Sequence, residues 1–235
     1  MNKKRIIIKT SGETFGQARA ETNLDFVAIK SLAQSLKKLV SLGYQVAIVA
    51  GAGNIFRARM IAGEEIDRTS ADHIGMLATH INALALESAL EKIGQKAVVM
   101  SPFAMPKIAK AMNHQEAIDY LEKKTVVIFA GGTGNPYFTT DTCLILRALE
   151  IKADQVYKAT NVLGVYDKNP SKYKNAKLYK ILSYDEALKK NLQLMDATAF
   201  ALARDNQVKV RVFKYSPDNL IKAISKNNIG TSITN

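Results

Sequence analysis

The stretch Gly131–Asp141 (GGTGNPYFTTD) crowds the hydroxyls of Thr133, Tyr137, Thr139 and Thr140, the Asn135 amide and Pro136 among glycines, with no charge before Asp141. Glycine lets a backbone approach a ligand closely. Thr139 or Thr140 can cap a helix starting near Thr142, whose free N–H groups favour an anion. Cations stand at comparable places. Lys9 ends the run RIIIK before Thr10-Ser11-Gly12, Arg57 follows the turn Gly51-Ala52-Gly53-Asn54, and Lys158 lies in QVYKA. Lys9 is a point charge with three donors, and Arg57 suits bidentate phosphate binding. Glycine turns with fixed cations suit two phosphate-bearing ligands meeting end to end. Phosphoryl transfer needs in-line placement, with cations and backbone N–H groups on the transferring oxygens.

Other chemistries lack their residues. There is no G-x-x-x-x-G-K-[ST], no completed G-x-G-x-x-G and no G-x-S-x-G. His73, His80 and His114 have no carboxylate or cysteine set beside them, so no protein-held metal is expected. The single Cys143 sits in CLIL and reads as a buried thiol.

These groups need a scaffold, and its pattern is repeated. RIIIK, QVAIVA, KAVVM, TVVIFA, QVYKA and VKVRVF are short apolar runs, most followed by a polar or glycine turn and then a helical period. RIIIK does not alternate, which predicts a strand buried on both faces at the sheet centre. Helices are expected from an Asn23 cap to about Leu42, from a Thr69 or Ser70 cap to about Ile93, and over about 116–121, 142–149, 183–190, 196–205 and 217–225. The second is apolar around much of its circumference, so part of it reads as an oligomer interface. Asp72 in its first turn complements the helix dipole. Val208–Phe213 and Ser232–Thr234 read as strands. The fold class is therefore α/β, an αβα sandwich around a central, mainly parallel sheet.

Composition sets the bounds. The 235 residues, 47% hydrophobic, suit one large α/β domain or two small lobes. Net charge is +12, from 33 Lys+Arg against 21 Asp+Glu, and the lysines are scattered in pairs, which reads as a solvated surface. The stretch Lys168–Lys180 interleaves lysine with tyrosine and reads as an exposed, mobile connector, so no nucleic-acid partner is expected. The basic start carries only three isoleucines, too few for a signal peptide, and no apolar run nears the roughly 18 residues that span a bilayer. A reducing, cytoplasmic location without membrane attachment is the expectation.

The segments RIIIKTSGE, GAGNIFRA, DHIGMLAT, GTGNPYFTTD, KATNVLGVYDKNP and LMDATAFALARD resemble, in that order, the bacterial uridylate (UMP) kinases of the amino-acid-kinase superfamily. The resemblance runs from about Arg5 to Thr234. It implies one domain over 1–235, the part to about 150 mainly the acceptor site and 151–235 mainly the ATP site. It implies transfer of the γ-phosphate of ATP to UMP, with Mg²⁺, in pyrimidine nucleotide biosynthesis. By resemblance, ATP lies over Lys9, Thr10, Ser11 and Gly12, near Gly53 and Arg57, with its nucleoside along Thr160, Asn161, Tyr166 and Asn169. UMP lies against Gly51 and Ala52, with Asp72 near its ribose and Thr133, Gly134, Asn135, Pro136, Tyr137, Phe138, Thr139 and Thr140 around its uracil and phosphate. Lys9, Arg57, Asp141 and Asp196 are the implied catalytic set. A homohexamer packed through the long helix and feedback inhibition by UTP are implied as well.

Three departures stand out. Ala52 replaces a glycine of the family's GGGN, which is tolerable only if its φ is negative. Asn169 replaces an aspartate, turning a carboxylate contact to the ATP ribose into an amide contact. The segment after SGE lacks the glycine-rich pattern of members activated by GTP, so that activation is not expected. A nucleotide-dependent storage protein on the same fold and a nucleic-acid binder are the alternatives. Intact Lys9, Arg57 and acids argue for turnover.

Overall fold

Ile6, Ile7 and Ile8 have no exposed surface. The computed structural model, which describes residues 4–16, 22–57, 66–192, 195–226 and 228–234, shows why. In chain order the strands are β1 (Arg5–Thr10), β2 (Gln45–Ala50), β3 (Ala97–Ser101), β4 (Lys110–Ala111), β5 (Val126–Phe129), β6 (Gln155–Thr160), β7 (Ile181–Ser183), β8 (Val210–Lys214) and β9 (Thr231–Thr234). Among the described residues they form one sheet in the order β4-β3-β5-β2-β1-β6-β8-β9-β7. β1 is its middle strand, and every pairing is parallel except β8 with β9.

The helices are α1 (Phe26–Ser41), α2 (Arg68–Lys92), α3 (His114–Glu122), α4 (Thr140–Glu150), α5 (Tyr184–Lys189), α6 (Ala197–Asp205) and α7 (Pro217–Ser225). Alternate strand residues point to opposite faces, so a central strand feeds two cores. Ile7, Val49 and Phe129 pack with α3, α4, α5 and α6. Ile6, Ile8, Ile48 and Ile128 pack with α1, α2 and α7. The expected αβα sandwich is the observed one.

Several boundaries differ from expectation, each for a local reason. Asn23 does not cap α1; its φ is +53°, a turn conformation. The cap is Asp25, whose Oδ1 accepts from the N–H groups of Val27 (2.9 Å) and Ala28 (3.0 Å). Thr69 and Ser70 likewise fall inside α2, which Asp67 caps through the Ser70 N–H at 3.0 Å. β8 starts two residues later than Val208, and β4 and β7 were not expected. The stretch Lys168–Lys180 is mostly exposed, and an antiparallel bridge between Tyr166 and Leu178 closes its base.

Glycine turns follow β1 and β2, and the polar loop follows β5. Because these strands are parallel neighbours, their carboxyl ends lie along one edge of the sheet, where open α/β folds place ligands. Ile74, Leu77 and Ile81 of α2 face outward from the layer, 42%, 50% and 47% exposed.

Candidate active site

Two cavities meet at the carboxyl ends of the central strands. The smaller, about 390 Å³, is lined by Ala52, Gly53, Phe56, Arg57, Arg68, Asp72, Met76, Thr79, Thr133 and Phe138, among others. The larger, about 820 Å³, is lined by Asp141, Lys158, Leu188, Leu192, Met195, Asp196, Phe200 and Arg204, among others. Thr139 and Thr140 line both, so the first turn of α4 is the shared wall.

Charge is concentrated at that wall. Lys9 and Lys158 lie side by side in the register of β1 and β6. Asp141, one residue into α4, pairs with both, Oδ2 at 2.5 Å from Lys158 Nζ and Oδ1 at 3.6 Å from Lys9 Nζ. All three side chains are largely buried. Burial pushes the Lys9 ammonium below its usual pKa, Asp141 acts to raise it, and the neighbouring Lys158 charge lowers it further. Asp141 Oδ1 is buried and accepts no hydrogen bond among the described residues, and the buried Thr10 hydroxyl has no partner either.

Thr139 joins two helix ends. Its hydroxyl caps α4, accepting from the Asp141 N–H at 3.1 Å, and it donates to Asp196 Oδ2. Asp196 in turn caps α6, its Oδ1 accepting from the Ala199 N–H and the Thr142 hydroxyl, each at 3.0 Å. Burial acts to raise the Asp196 pKa, but these hydrogen bonds outweigh it and hold the carboxyl below its ordinary value.

The smaller cavity is built from three chain segments. Arg57, half exposed, donates from Nε to Gly53 O at 2.9 Å and pairs with Glu13 at 3.1 Å. Gly12 permits the closest approach here: a Cβ on it would lie 2.2 Å from Gly53 N. Ala52 is not among the described residues with positive φ, so its methyl group is accommodated. Because α2 starts at Arg68, Asp72 falls past its first turn, which holds no acidic residue, so the expected dipole role gives way to another. Its Oδ2 accepts from Arg68 Nε and from the Tyr137 N–H, both at 2.7 Å. Tyr137 has φ +69°, a strained value for a bulky side chain, and its ring lies under the Arg68 guanidinium at 5.4 Å. Thr79 anchors the start of the same loop, its hydroxyl accepting from the Gly131 N–H at 2.7 Å.

The structure thus brings Ala52, Gly53, Arg57, Asp72, Thr133, Phe138, Thr139 and Thr140 around one cavity. Gly134, Asn135, Pro136 and Tyr137 continue the same loop, and Gly51 precedes the turn. Asp141 and Asp196 line the larger cavity; Lys9 lines neither cavity and reaches the site through its ion pair with Asp141, and Thr10, Ser11 and Gly12, which follow it, line neither. The segment after β6 lines neither cavity. Thr160 donates its hydroxyl to Val162 O at 2.9 Å, Asn161 is exposed, Tyr166 sits in the bridge, and Asn169 accepts from the Ser171 N–H at 2.9 Å. Sequence reasoning missed Arg68, Phe56, Met76 and Thr79. Only Arg68 had a readable signal, its spacing of four from Asp72 on a helix.

The family model described as the amino acid kinase family matches residues 4–214. The solved UMP kinase of Ureaplasma parvum is 37% identical, covers 100% of both chains and superposes with a TM-score of 0.94. The UMP kinase of Bacillus anthracis is 33% identical over 98% of this chain and 96% of its own, with a TM-score of 0.93. The uridylate kinase of Archaeoglobus fulgidus is 26% identical over 97% and 99%, with a TM-score of 0.73. With its central sheet, its paired cavities and a family match from Lys4 to Lys214, the chain belongs to the amino acid kinase family.

Proposed function

We propose that the protein transfers the γ-phosphoryl group of ATP to UMP, giving ADP and UDP for pyrimidine nucleotide synthesis. The observation that carries this reading is the Thr139–Thr140 wall shared by the two cavities, next to Asp141, which lines the larger one and pairs with both Lys158 and Lys9. A phosphate oxygen of UMP attacks the γ-phosphorus, and the bond from that phosphorus to the β–γ bridging oxygen breaks as ADP leaves. Lys9 and Lys158 offset the charge on the transferring oxygens, while Asp141 holds both ammoniums in place. Arg57 and Arg68 offset acceptor charge in the smaller cavity. Neutral donors and acceptors in Thr133–Thr140 suit uracil. The part to about residue 150 carries the acceptor side. ATP lies over Lys9–Gly12 and runs to the 151–235 part, with its nucleoside along Thr160, Asn161, Tyr166 and Asn169, outside the lining of the two cavities.

Mg²⁺ fits this site as a companion of ATP. Among the described residues no group of three His, Cys, Asp or Glu side chains forms a metal cage. Mg²⁺ keeps much of its water and takes one or two carboxylates plus phosphates. Asp141 Oδ1, which accepts no hydrogen bond, is the oxygen of that type at the junction. Bound Mg²⁺ would neutralise phosphate charge.

Assembly as a homohexamer belongs to the same reading. It is supported by the apolar hollow of about 440 Å³ on α2, lined by Ile74, Leu77, Ile81 and Ile108, among others. Leu77→Lys should dissociate it, read by sedimentation velocity; an unchanged sedimentation coefficient would refute that packing. Work in the cytoplasm and feedback inhibition by UTP complete the proposal. Among the described residues no helix is long and apolar enough to cross a membrane.

An acceptor panel tests the activity. With ATP and Mg²⁺, ADP release should be far faster with UMP than with CMP, dTMP or acetylglutamate. Equal rates across the panel, or none, would end the reading.

A further inference from the structure

We propose that Asn82 is a positioning residue for phosphoryl transfer: from α2 it fixes, together with Asn54, the glycine turn after β2 against the Lys9–Gly12 loop. The inference rests on the phosphoryl-transfer reading and assigns it a residue that touches neither cavity.

Asn82 lies in the middle of α2 with no exposed surface, and Asn54 is 3% exposed. Asparagine is a poor residue for a helix interior, and a buried amide is costly unless its hydrogen bonds are made. Here they are made. Asn82 Nδ2 donates to Gly51 O at 2.7 Å and to Asn54 Oδ1 at 2.9 Å. Asn54 Nδ2 donates back to Asn82 Oδ1 at 3.2 Å and to Asn23 O at 2.8 Å. Gly51 O and Asn23 O can only accept, so each amide must present its nitrogen there, and both orientations follow.

The direction of these bonds matters. Apart from Asn54, the Asn82 side chain bonds only the carbonyl that opens the turn. Asn54 then carries the constraint to the facing loop. A Cβ on Gly12 would lie 2.5 Å from Asn54 Oδ1 and 2.2 Å from Gly53 N, so the two loops touch through this pair. Gly53 O also holds Arg57 Nε at 2.9 Å. A shift of the amide pair therefore moves the Gly12 loop, the turn and Arg57 together. Misplacing reacting groups by about 1 Å can cost about 100-fold in rate.

Asn82→Asp keeps the shape but cannot donate, and it sets a carboxylate against Gly51 O and Asn54 Oδ1. Asn82→Ser shortens the side chain without adding charge. Both are to be compared with the parent in kcat, KM for ATP and UMP, UMP dissociation constant by calorimetry, and Tm. At a temperature where each variant is folded, kcat should fall about 30-fold or more, while the UMP dissociation constant, whose cavity the turn and Arg57 also border, should rise by a clearly smaller factor. A residue that serves only the fold would lower Tm and leave kcat per folded molecule intact. The proposal is overturned if either folded variant keeps kcat within about three-fold of the parent, or loses UMP binding in step with kcat. Failure of both variants to fold would also overturn it, since the pair would then hold the core rather than the turn. A parent without UMP-dependent turnover would sink the functional reading and this proposal together, whereas an active parent indifferent to Asn82 sinks the proposal alone.

Discussion

Asp141→Asn removes one charge from a cluster of three while keeping its shape, and it should disable turnover more than it unfolds the chain. The carboxylate lies 2.5 Å from Lys158 and 3.6 Å from Lys9. At an effective dielectric of about 20, unit charges ~3.6 Å apart attract by about 4–5 kcal/mol, an upper bound once side chains relax and water enters. If a third of that survives, the effect is about 1–2 kcal/mol, or roughly a 5- to 30-fold change in an equilibrium or rate. The sign follows from the groups around it. Burial already holds Lys9 below 10.5, Asp141 is the main influence raising it, and Lys158 acts with burial. Without the Asp141 charge the Lys9 pKa falls further. Transfer needs the protonated ammonium held in place, so the alkaline limb of the kcat profile should move to lower pH, and kcat at neutral pH should drop by about that 5- to 30-fold. A coupled ADP-release assay from about pH 6 to 10 at constant ionic strength reads both. A variant with kcat within about three-fold of the parent and an unmoved alkaline limb would refute the argument.

Arg68→Met removes the partner of Asp72 and the cation over Tyr137, so KM for UMP should rise about ten-fold with kcat little changed; a drop in kcat alone would place Arg68 with the transferring phosphate. Gly131 has φ +75° and a Cβ there would lie 2.8 Å from Pro102 Cδ, so Gly131→Ala should destabilise by about 1–3 kcal/mol in a urea melt. The Asp196 carboxyl is held below its ordinary 3.8, so its stabilisation is complete above that pH and is lost as pH falls through the lower folded value. The Tm gap between parent and Asp196→Asn should therefore be largest near neutrality and close in acid; a gap that widens there would reverse the sign.

The scaffold was legible because its signals are local. Apolar runs too short for helices, each ended by a glycine or polar turn, predict parallel strands wherever the chain places them, and Ile6–Ile8 at the sheet centre follow from their lack of alternation. Helix starts were misplaced where two polar residues competed, and the choice turned on backbone conformation: Asn23 adopts a left-handed turn, leaving Asp25 to cap. β4 and β7, two and three residues long, are too short to show a period. The site divides the same way. Lys9, Arg57 and the loop before α4 declare themselves by type and place. Thr79 and Asn82 do not, since their partners Gly131 and Gly51 are 52 and 31 residues away in sequence. Asp72 was expected near a ligand, but its bond to the Tyr137 N–H spans 65 residues and could not be read from spacing.

Cys143 carries a consequence of its own. The thiol lies on α4, three residues after the Thr140 wall, with no exposed surface, and burial pushes its pKa up to about 11. Alkylating reagents need access and a thiolate, so labelling must wait for α4 to leave the core. An occupant that grips the first turn of α4 would delay that departure. The lone sulfur can thus serve as a clock whose slowing reports occupancy of the phosphate junction, with no turnover needing to be followed.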